Sequence, residues 1–253
     1  MRQTSDPLLA VSNLTVRYRG FTLGPIDFQL GGGEFLSLIG TNGSGKTTLV
    51  RALLGLNNNI CSGTVTNRDI DLLRRDPGAF AGIGYVTDSS QDLLLEFTAV
   101  EYFNYCRLAH ERAAGERLTG FDGRVADLAS TLDLPLAQRR PLAALSLGTR
   151  RKAQIVAALL ADPALIILDE PFIGLDFIAA RALEGLMADL KQQGHTCIVA
   201  GHDLDIASRL ADRVMLLHDG RVLIDQPVVA LGGQARLESH IEQALRAARA
   251  GAR

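Results

Sequence analysis

The feature that most constrains this chain is an octapeptide, Gly40-Thr41-Asn42-Gly43-Ser44-Gly45-Lys46-Thr47. It follows a short apolar run, Glu34 to Ile39, and precedes Lys46 to Leu54, whose helical apolar spacing stops at Gly55. Strand, glycine-rich loop and helix in that order fit G-x-x-x-x-G-K-[ST], the pattern of a phosphate cradle. Phosphate oxygens need several backbone N–H groups at close range. Gly40, Gly43 and Gly45 remove side chains that would block the approach and permit the dihedrals it requires. The helix turns its positive end to the anion, Lys46 adds a point charge for the β- and γ-phosphates, and Thr47 offers a hydroxyl to Mg2+. Lys46, Lys152 and Lys191 are the only lysines in a chain that otherwise uses arginine, so a lysine here answers a requirement. The loop implies a nucleoside triphosphate and leaves open which machine uses it.

The rest of the composition sets bounds on that machine. At 253 residues, 47% hydrophobic and 21% charged, the chain can bury a sizeable core as one domain, or as one domain with a subdomain. A net charge of −2 provides no basic field for general nucleic-acid binding, so no nucleic-acid partner is expected. No apolar run approaches a membrane span, since Ala153 to Leu168 is cut by Asp162 and Pro163. Met1 to Pro7 contain no signal-peptide core, and Cys61, Cys106 and Cys197 are unclustered, which fits a reducing compartment. The expectation is a cytosolic α/β domain.

Leu8 to Arg17 reads as strand, with Leu9 and Val11 and then Leu14 and Val16 as apolar positions, and so does Phe21 to Leu30. Ile83 to Val86 is a further short strand. From Thr98 to Leu145 the character changes to helices broken at Gly115, Gly120, Pro135 and Pro141, an insertion in the α/β pattern. With the helix over Ser146 to Leu160, the inserted helical subdomain runs over about 98–160. Strand Ala164 to Leu168, helix Asp176 to Gln192, strand His195 to Ala200 and helix Leu204 to Leu210 come next. Strands Arg213 to Leu217 and Arg221 to Ile224 are joined by an Asp219-Gly220 turn. Such alternation implies a largely parallel sheet with helices on its faces. In the tail, Leu237, Ile241, Leu245 and Ala248 share one helical face, which reads as a helix capping the domain.

Ala164 to Glu170 is an apolar strand ending in two adjacent carboxylates. Ligands of open parallel sheets sit at the carboxyl ends of strands, where Asp169 and Glu170 emerge. Asp169 suits a Mg2+ contact, and Glu170 suits a general base for an attacking water. Read alone, the pair is as easily a strand end with acidic caps; the phosphate loop shifts the balance. Ser146, ahead of an Ala/Leu-rich helix, is a good N-cap, and ordinary capping explains it unless a phosphate comes near. His202 lies just past a strand at its carboxyl end and can hydrogen-bond a γ-phosphate, although a lone histidine is more often structural. His110, His195, His218 and His240 have no such context.

Taken together, these pieces resemble the nucleotide-binding subunit of ATP-binding-cassette (ABC) transporters, in the family's order from Leu8 to about Pro227. The resemblance implies an α/β P-loop NTPase fold with a mainly parallel central sheet, N-terminal antiparallel strands and an inserted α-helical subdomain. The cassette would span 8–227 and a helical tail 228–253. Tyr18 matches the aromatic residue that stacks on adenine. Gly40 to Thr47, with Thr48 beside them, match Walker A. Ser146, Gly148 and Thr149 fall on the signature motif, usually Leu-Ser-Gly-Gly-Gln. Asp169 and Glu170 match Walker B and its catalytic glutamate, Gly174-Leu175-Asp176 the D-loop, and His202 the switch histidine. Implied too is a head-to-tail dimer with a second nucleotide-binding subunit, identical or not, that holds ATP between Walker A of one and the signature of the other. An integral-membrane permease would dock on the helical subdomain, placing the chain peripherally on the inner face of the cell membrane. The helical region and the stretch from His202 to Gln226 look most like exporter-type (ABC-2) subunits.

Two departures stand out. Where the family carries glutamine after the strand Ile83 to Val86, this chain has Asp88, shorter and charged but still able to ligate Mg2+; the nearest glutamine is Gln91. Leu147 replaces the first signature glycine and Thr149 the glutamine. With Glu170 and His202 both present, an active ATPase is expected. The competing class is a soluble ABC-type ATPase acting on a non-membrane macromolecule, which calls for a coiled coil, zinc-binding cysteines or a second cassette. A P-loop kinase or GTPase is disfavoured by the signature segment and by the lack of Asn-Lys-x-Asp.

Overall fold

The computed structural model describes residues 6–89 and 94–251. In chain order the first elements are β1 (Leu9–Tyr18), β2 (Phe21–Leu30), β3 (Phe35–Gly40), α1 (Lys46–Leu53), β4 (Ile60–Asn67) and β5 (Ile70–Asp71). Next come β6 (Ile83–Val86), α2 (Ala99–Ala114), α3 (Phe121–Thr131), α4 (Leu147–Leu159), β7 (Leu165–Asp169) and α5 (Phe177–Gln192). After them lie β8 (Thr196–Gly201), α6 (Leu204–Leu210), β9 (Arg213–His218), β10 (Arg221–Pro227) and α7 (Gln234–Gly251). These elements form two compact units. One runs up to Ala79 and resumes at Thr196; the other is Phe80–His195.

In the first unit an antiparallel sheet runs in the order β2-β1-β4-β5. The apolar positions of β1 change parity between Val11 and Leu14, which would turn half of them to solvent in a regular strand. A bulge there restores them: the register shifts on both sides, Asn13 takes φ 50, and Leu9, Val11, Leu14 and Val16 are all buried. The neighbouring strands make room with glycine. A Cβ on Gly63 (φ 103) would stand 2.6 Å from the Asn13 carbonyl oxygen and the Leu14 nitrogen. We therefore expect Gly63→Ala to destabilise the protein by about 2–3 kcal/mol in urea unfolding, through left-handed strain plus this clash.

Also in this unit, β9, β3 and β8 lie parallel in that order, and β10 pairs antiparallel with β9. Every residue of β3 is buried, as befits a strand with neighbours on both sides. The Asp219-Gly220 turn has φ 47 and 74, the paired left-handed conformation of a tight hairpin. Leu237 and Ile241 of α7 pack with Ile39, Val214 and Leu216, so the tail helix belongs to this core.

In the second unit β6 and β7 pair in parallel, and all five residues of β7 are buried. Each of the four aliphatic side chains among them contributes about 1.5–3 kcal/mol relative to exposure. Gly84 of β6 is required by α4, because a Cβ there would run into the Ala158 carbonyl oxygen. The helix breaks read from glycine hold: Gly115 caps α2 and Gly120 opens α3, both left-handed at φ 75 and 68. Strands β4 and β5 are the elements that sequence reading did not anticipate. Among the described residues, no helix is long and apolar enough to cross a membrane.

Candidate functional site

In the first unit β3 delivers Gly40, and the chain loops through Gly43 (φ 79) and Gly45 (φ 107) into α1. A side chain on Gly40 would collide with Ser44 Oγ and stand 2.5 Å from the Leu217 carbonyl oxygen, so the loop lies directly on β9. The β9–β10 turn braces it from behind: Gly220 N–H donates to Ser44 O at 3.0 Å, and Gly24 N–H donates to Gly220 O at 2.8 Å. The N-cap of α1, Gly45, has no side chain to satisfy the first-turn N–H groups. Those groups suit an anion. Ser44 Oγ is buried with no hydrogen-bond partner, a further polar atom beneath the same loop. Lys46 is 7% exposed and folds back to donate from Nζ to Gly40 O at 2.8 Å, which holds the ammonium over the loop. Thr41, Asn42 and Gly43 are exposed at the loop's crest, and Thr47 and Thr48 are half-buried on the helix. This donor set fits a polyphosphate.

His202 is exposed immediately past β8. The β3–β8 register pairs Ile39 with Gly201, so His202 leaves the sheet level with Gly40. Tyr18 ends β1, 40% exposed, its hydroxyl accepting from Asn57 Nδ2 at 2.9 Å. That bond fixes a ring that still has free area for stacking.

In the second unit, Asp169 ends β7 with 0% exposure, and Glu170 comes next in a left-handed conformation, φ 48. Such backbone is uncommon for a non-glycine residue and costs about 1–3 kcal/mol, an expense that concentrates at functional sites. It bends the chain out of the strand at Glu170, whose carbonyl accepts from Ile173 N–H at 3.3 Å. The β6–β7 register pairs Val86 with Leu168, so Thr87 and Asp88 emerge beside Asp169 and Glu170. Asp88 is exposed. Gln91 lies outside the described residues. Among the described residues no group of three His, Cys, Asp or Glu side chains is placed to hold a metal by itself. One or two carboxylates with phosphate and water oxygens are the usual setting for Mg2+.

Ser146 caps α4, as its sequence implied: Oγ accepts from Thr149 N–H at 3.2 Å and lies 2.8 Å from Thr149 Oγ1. A Cβ on Gly148 would stand 2.5 Å from Gly174 O, and one on Gly174 would meet the side chain of Leu147. The segments around 146–149 and 174–176 therefore interlock. Asp176 in turn caps α5 by accepting from Ala179 N–H at 2.8 Å.

Residues 23–173 match the family described as ABC transporter. The chain belongs to the ABC transporter family. Among its relatives is the phosphonates import ATP-binding protein PhnC 2 of Nostoc sp., 33% identical over 87% of this chain and 93% of that one. A putative ABC transporter ATP-binding protein of Streptococcus agalactiae is 29% identical over 87% of this chain. This chain spans only 39% of that relative's length, and 41% of a similar protein of Bacillus cereus. Among solved structures, an ATP-binding subunit of an ABC transporter superposes with a TM-score of 0.79 at 28% identity, covering 92% of this chain and 94% of that one. A dimeric bacterial ABC transporter cassette gives 0.74 at 25% identity, over 87% and 98%. The fold is that of a P-loop ABC ATPase, and ATP binding comes with the family. None of these relatives supports the exporter subtype.

Within this ABC cassette the Leu147 departure has a local explanation. Glycine at 174 leaves the space that the larger side chain occupies. A residue that motif reading passed over is Arg151. It is 2% exposed in α4, and its guanidinium donates to Thr87 O, to Asp88 O at 3.1 Å and to Gln154 Oε1 at 3.0 Å. Gln154 Nε2 extends the clasp to Ser89 O at 3.2 Å. Burial lowers the pKa of Arg151, opposed by Asp88, Asp169, Glu170 and the Tyr85 phenol. Periodicity carried a signal for it, because Arg151 lies one and two turns before the buried Ile155 and Leu159.

Proposed function

We propose that this chain is the ATP-hydrolysing subunit of a membrane transporter, working by ATP-driven head-to-tail association with a second cassette, identical or not. The observation that carries the hydrolytic part is Glu170, a carboxylate residue on left-handed backbone just past the end of a buried strand, next to Asp169. In this reading the loop Gly40 to Thr48 binds the ATP phosphates, Lys46 offsets charge on the β- and γ-phosphates, and Tyr18 stacks on adenine. Thr47, Asp169 and Asp88 serve the Mg2+ that arrives with ATP. Glu170 takes a proton from water as its oxygen bonds to the γ-phosphorus, and the bond to the β–γ bridging oxygen breaks to leave ADP. His202 hydrogen-bonds the γ-phosphate. Ser146, Gly148 and Thr149 bind the ATP held by the partner cassette, which gives an exposed helix start a phosphate to meet.

The cassette spans 8–227, with its helical insertion over about 98–160 and a tail over 228–253. The insertion is the docking site for an integral-membrane permease, in keeping with Val100, Tyr105 and Leu108 exposed on α2. The working location is the cytoplasmic face of the membrane. The test is co-expression with the membrane protein encoded nearest this chain, purification in detergent and reconstitution in vesicles. The expected result is a stoichiometric complex whose Mg2+-dependent ATPase exceeds that of the chain alone. Stimulation by DNA or ribosomes instead, with no membrane protein retained, would replace the transporter with a soluble partner.

A further inference from the structure

A guanidinium at 2% exposure on an apolar helix face is costly, and its Nε–H is buried with no partner. A core position would be cheaper to fill with leucine, so the arginine must return something through the groups it touches. Besides Gln154 of its own helix, those groups are peptide carbonyls of a single segment, Thr87 and Asp88, while the carboxylates of Asp88, Asp169 and Glu170 supply the surrounding charge. The same helix begins at Ser146, so one rigid element joins the signature to the peptide that carries Asp88. Between Ser146 and Arg151 lies little more than one helical turn.

We propose that Arg151 is a positioning residue that ties the start of α4 to the Thr87-Asp88 peptide, so that the place of Asp88 and the state of the signature loop change together. This rests on the reading of the chain as an ATPase. The guanidinium fork is what the task needs. Nη1 donates to Thr87 O and Nη2 to Asp88 O, so one rigid planar group holds two successive carbonyls, which an ammonium does not reproduce. The fixed cation also offsets Asp169 and Glu170 at the level where the Asp88 loop leaves β6, so the two strand ends remain together despite like charge.

The test uses the full chain with Arg151→Lys, Arg151→Met, Asp88→Asn and the Arg151→Lys/Asp88→Asn double variant. First, hydrogen exchange of residues 85–89 is read on the nucleotide-free chain. Arg151→Lys is expected to speed it by about tenfold or more while α4 and β7 keep their protection. Second, in the transporter complex, Arg151→Lys is expected to lower kcat about tenfold with KM for MgATP changed less than about threefold, and the double variant to lose no more than Arg151→Lys alone. Arg151→Met, which keeps most of the volume, should show both effects if it folds; the lysine variant decides the matter if it does not. Unchanged exchange at 85–89, or losses in kcat that multiply in the double variant, overturn the proposal. Failure of the wild-type complex to hydrolyse ATP overturns the functional reading, while the exchange experiment still decides the clamp.

Discussion

Replacing Lys46 with alanine is expected to abolish useful ATP binding, raising Kd by about 100-fold or more and lowering ATPase activity by about 1000-fold or more. The Nζ atom rests on Gly40 O at 2.8 Å, in the loop that leads into the first turn of α1, whose N-cap Gly45 offers no side-chain cap. A short move of the ammonium takes it from that carbonyl to a phosphate oxygen. A charge-assisted hydrogen bond is worth about 1.5–3 kcal/mol, and an ammonium between two phosphates makes more than one. Alanine removes the bonds, the charge and the buried stem. Arginine does not repair the loss: Lys46 is 7% exposed, and a branched planar head does not reproduce a single ammonium that reaches Gly40 O. Calorimetric titration with ATP, beside thermal unfolding of the same samples, separates lost binding from lost folding. Binding within about threefold of wild type would place the triphosphate elsewhere.

Much of this was legible because backbone demands fall on few residue types. The phosphate loop needs glycine where φ is positive, at 43 and 45, and lysine at one fixed offset; those residues are visible in a string. β7 shows itself by four aliphatic residues in a row, Leu165 to Leu168, closed by the carboxylates of Asp169 and Glu170. β4 stayed hidden because its sequence, Ile-Cys-Ser-Gly-Thr-Val-Thr-Asn, has no clean alternation and only Val65 is buried in it. That strand is held by pairing with a bulged neighbour, and its glycine answers a carbonyl on another strand. Glu170 was legible as a carboxylate just past the strand end but its left-handed backbone was not, since nothing in a glutamate announces φ 48. Arg151 hid in a basic run, Arg150-Arg151-Lys152, which reads as a solvated helix face until the period of α4 is counted back from Ile155. Asp88 was read as a carboxylate in a glutamine's place; the β6–β7 register sets it beside Asp169.

Glu170→Gln is expected to separate binding from hydrolysis. Glutamine keeps the length and volume of the side chain and leaves the turn from Glu170 O to Ile173 N–H intact, so the fold is retained. What it loses is the ability to accept a proton from water, which general-base catalysis values at about 100- to 10,000-fold in kcat. It also removes one negative charge next to the buried Asp169, at a place that receives a polyanion in the proposed reading. The affinity for MgATP should therefore be equal or higher while turnover falls, a combination that simple misfolding cannot produce. If ATP joins two cassettes and hydrolysis parts them, the variant with MgATP should also accumulate as a dimer in light scattering, and EDTA should dissolve it by withdrawing the metal. Turnover within about tenfold of wild type would assign the base to another residue, and His202→Ala would then be the variant to compare. Lost turnover with tight ATP binding but no dimer, in the permease complex as well as alone, would keep Glu170 as the base and remove association from the cycle.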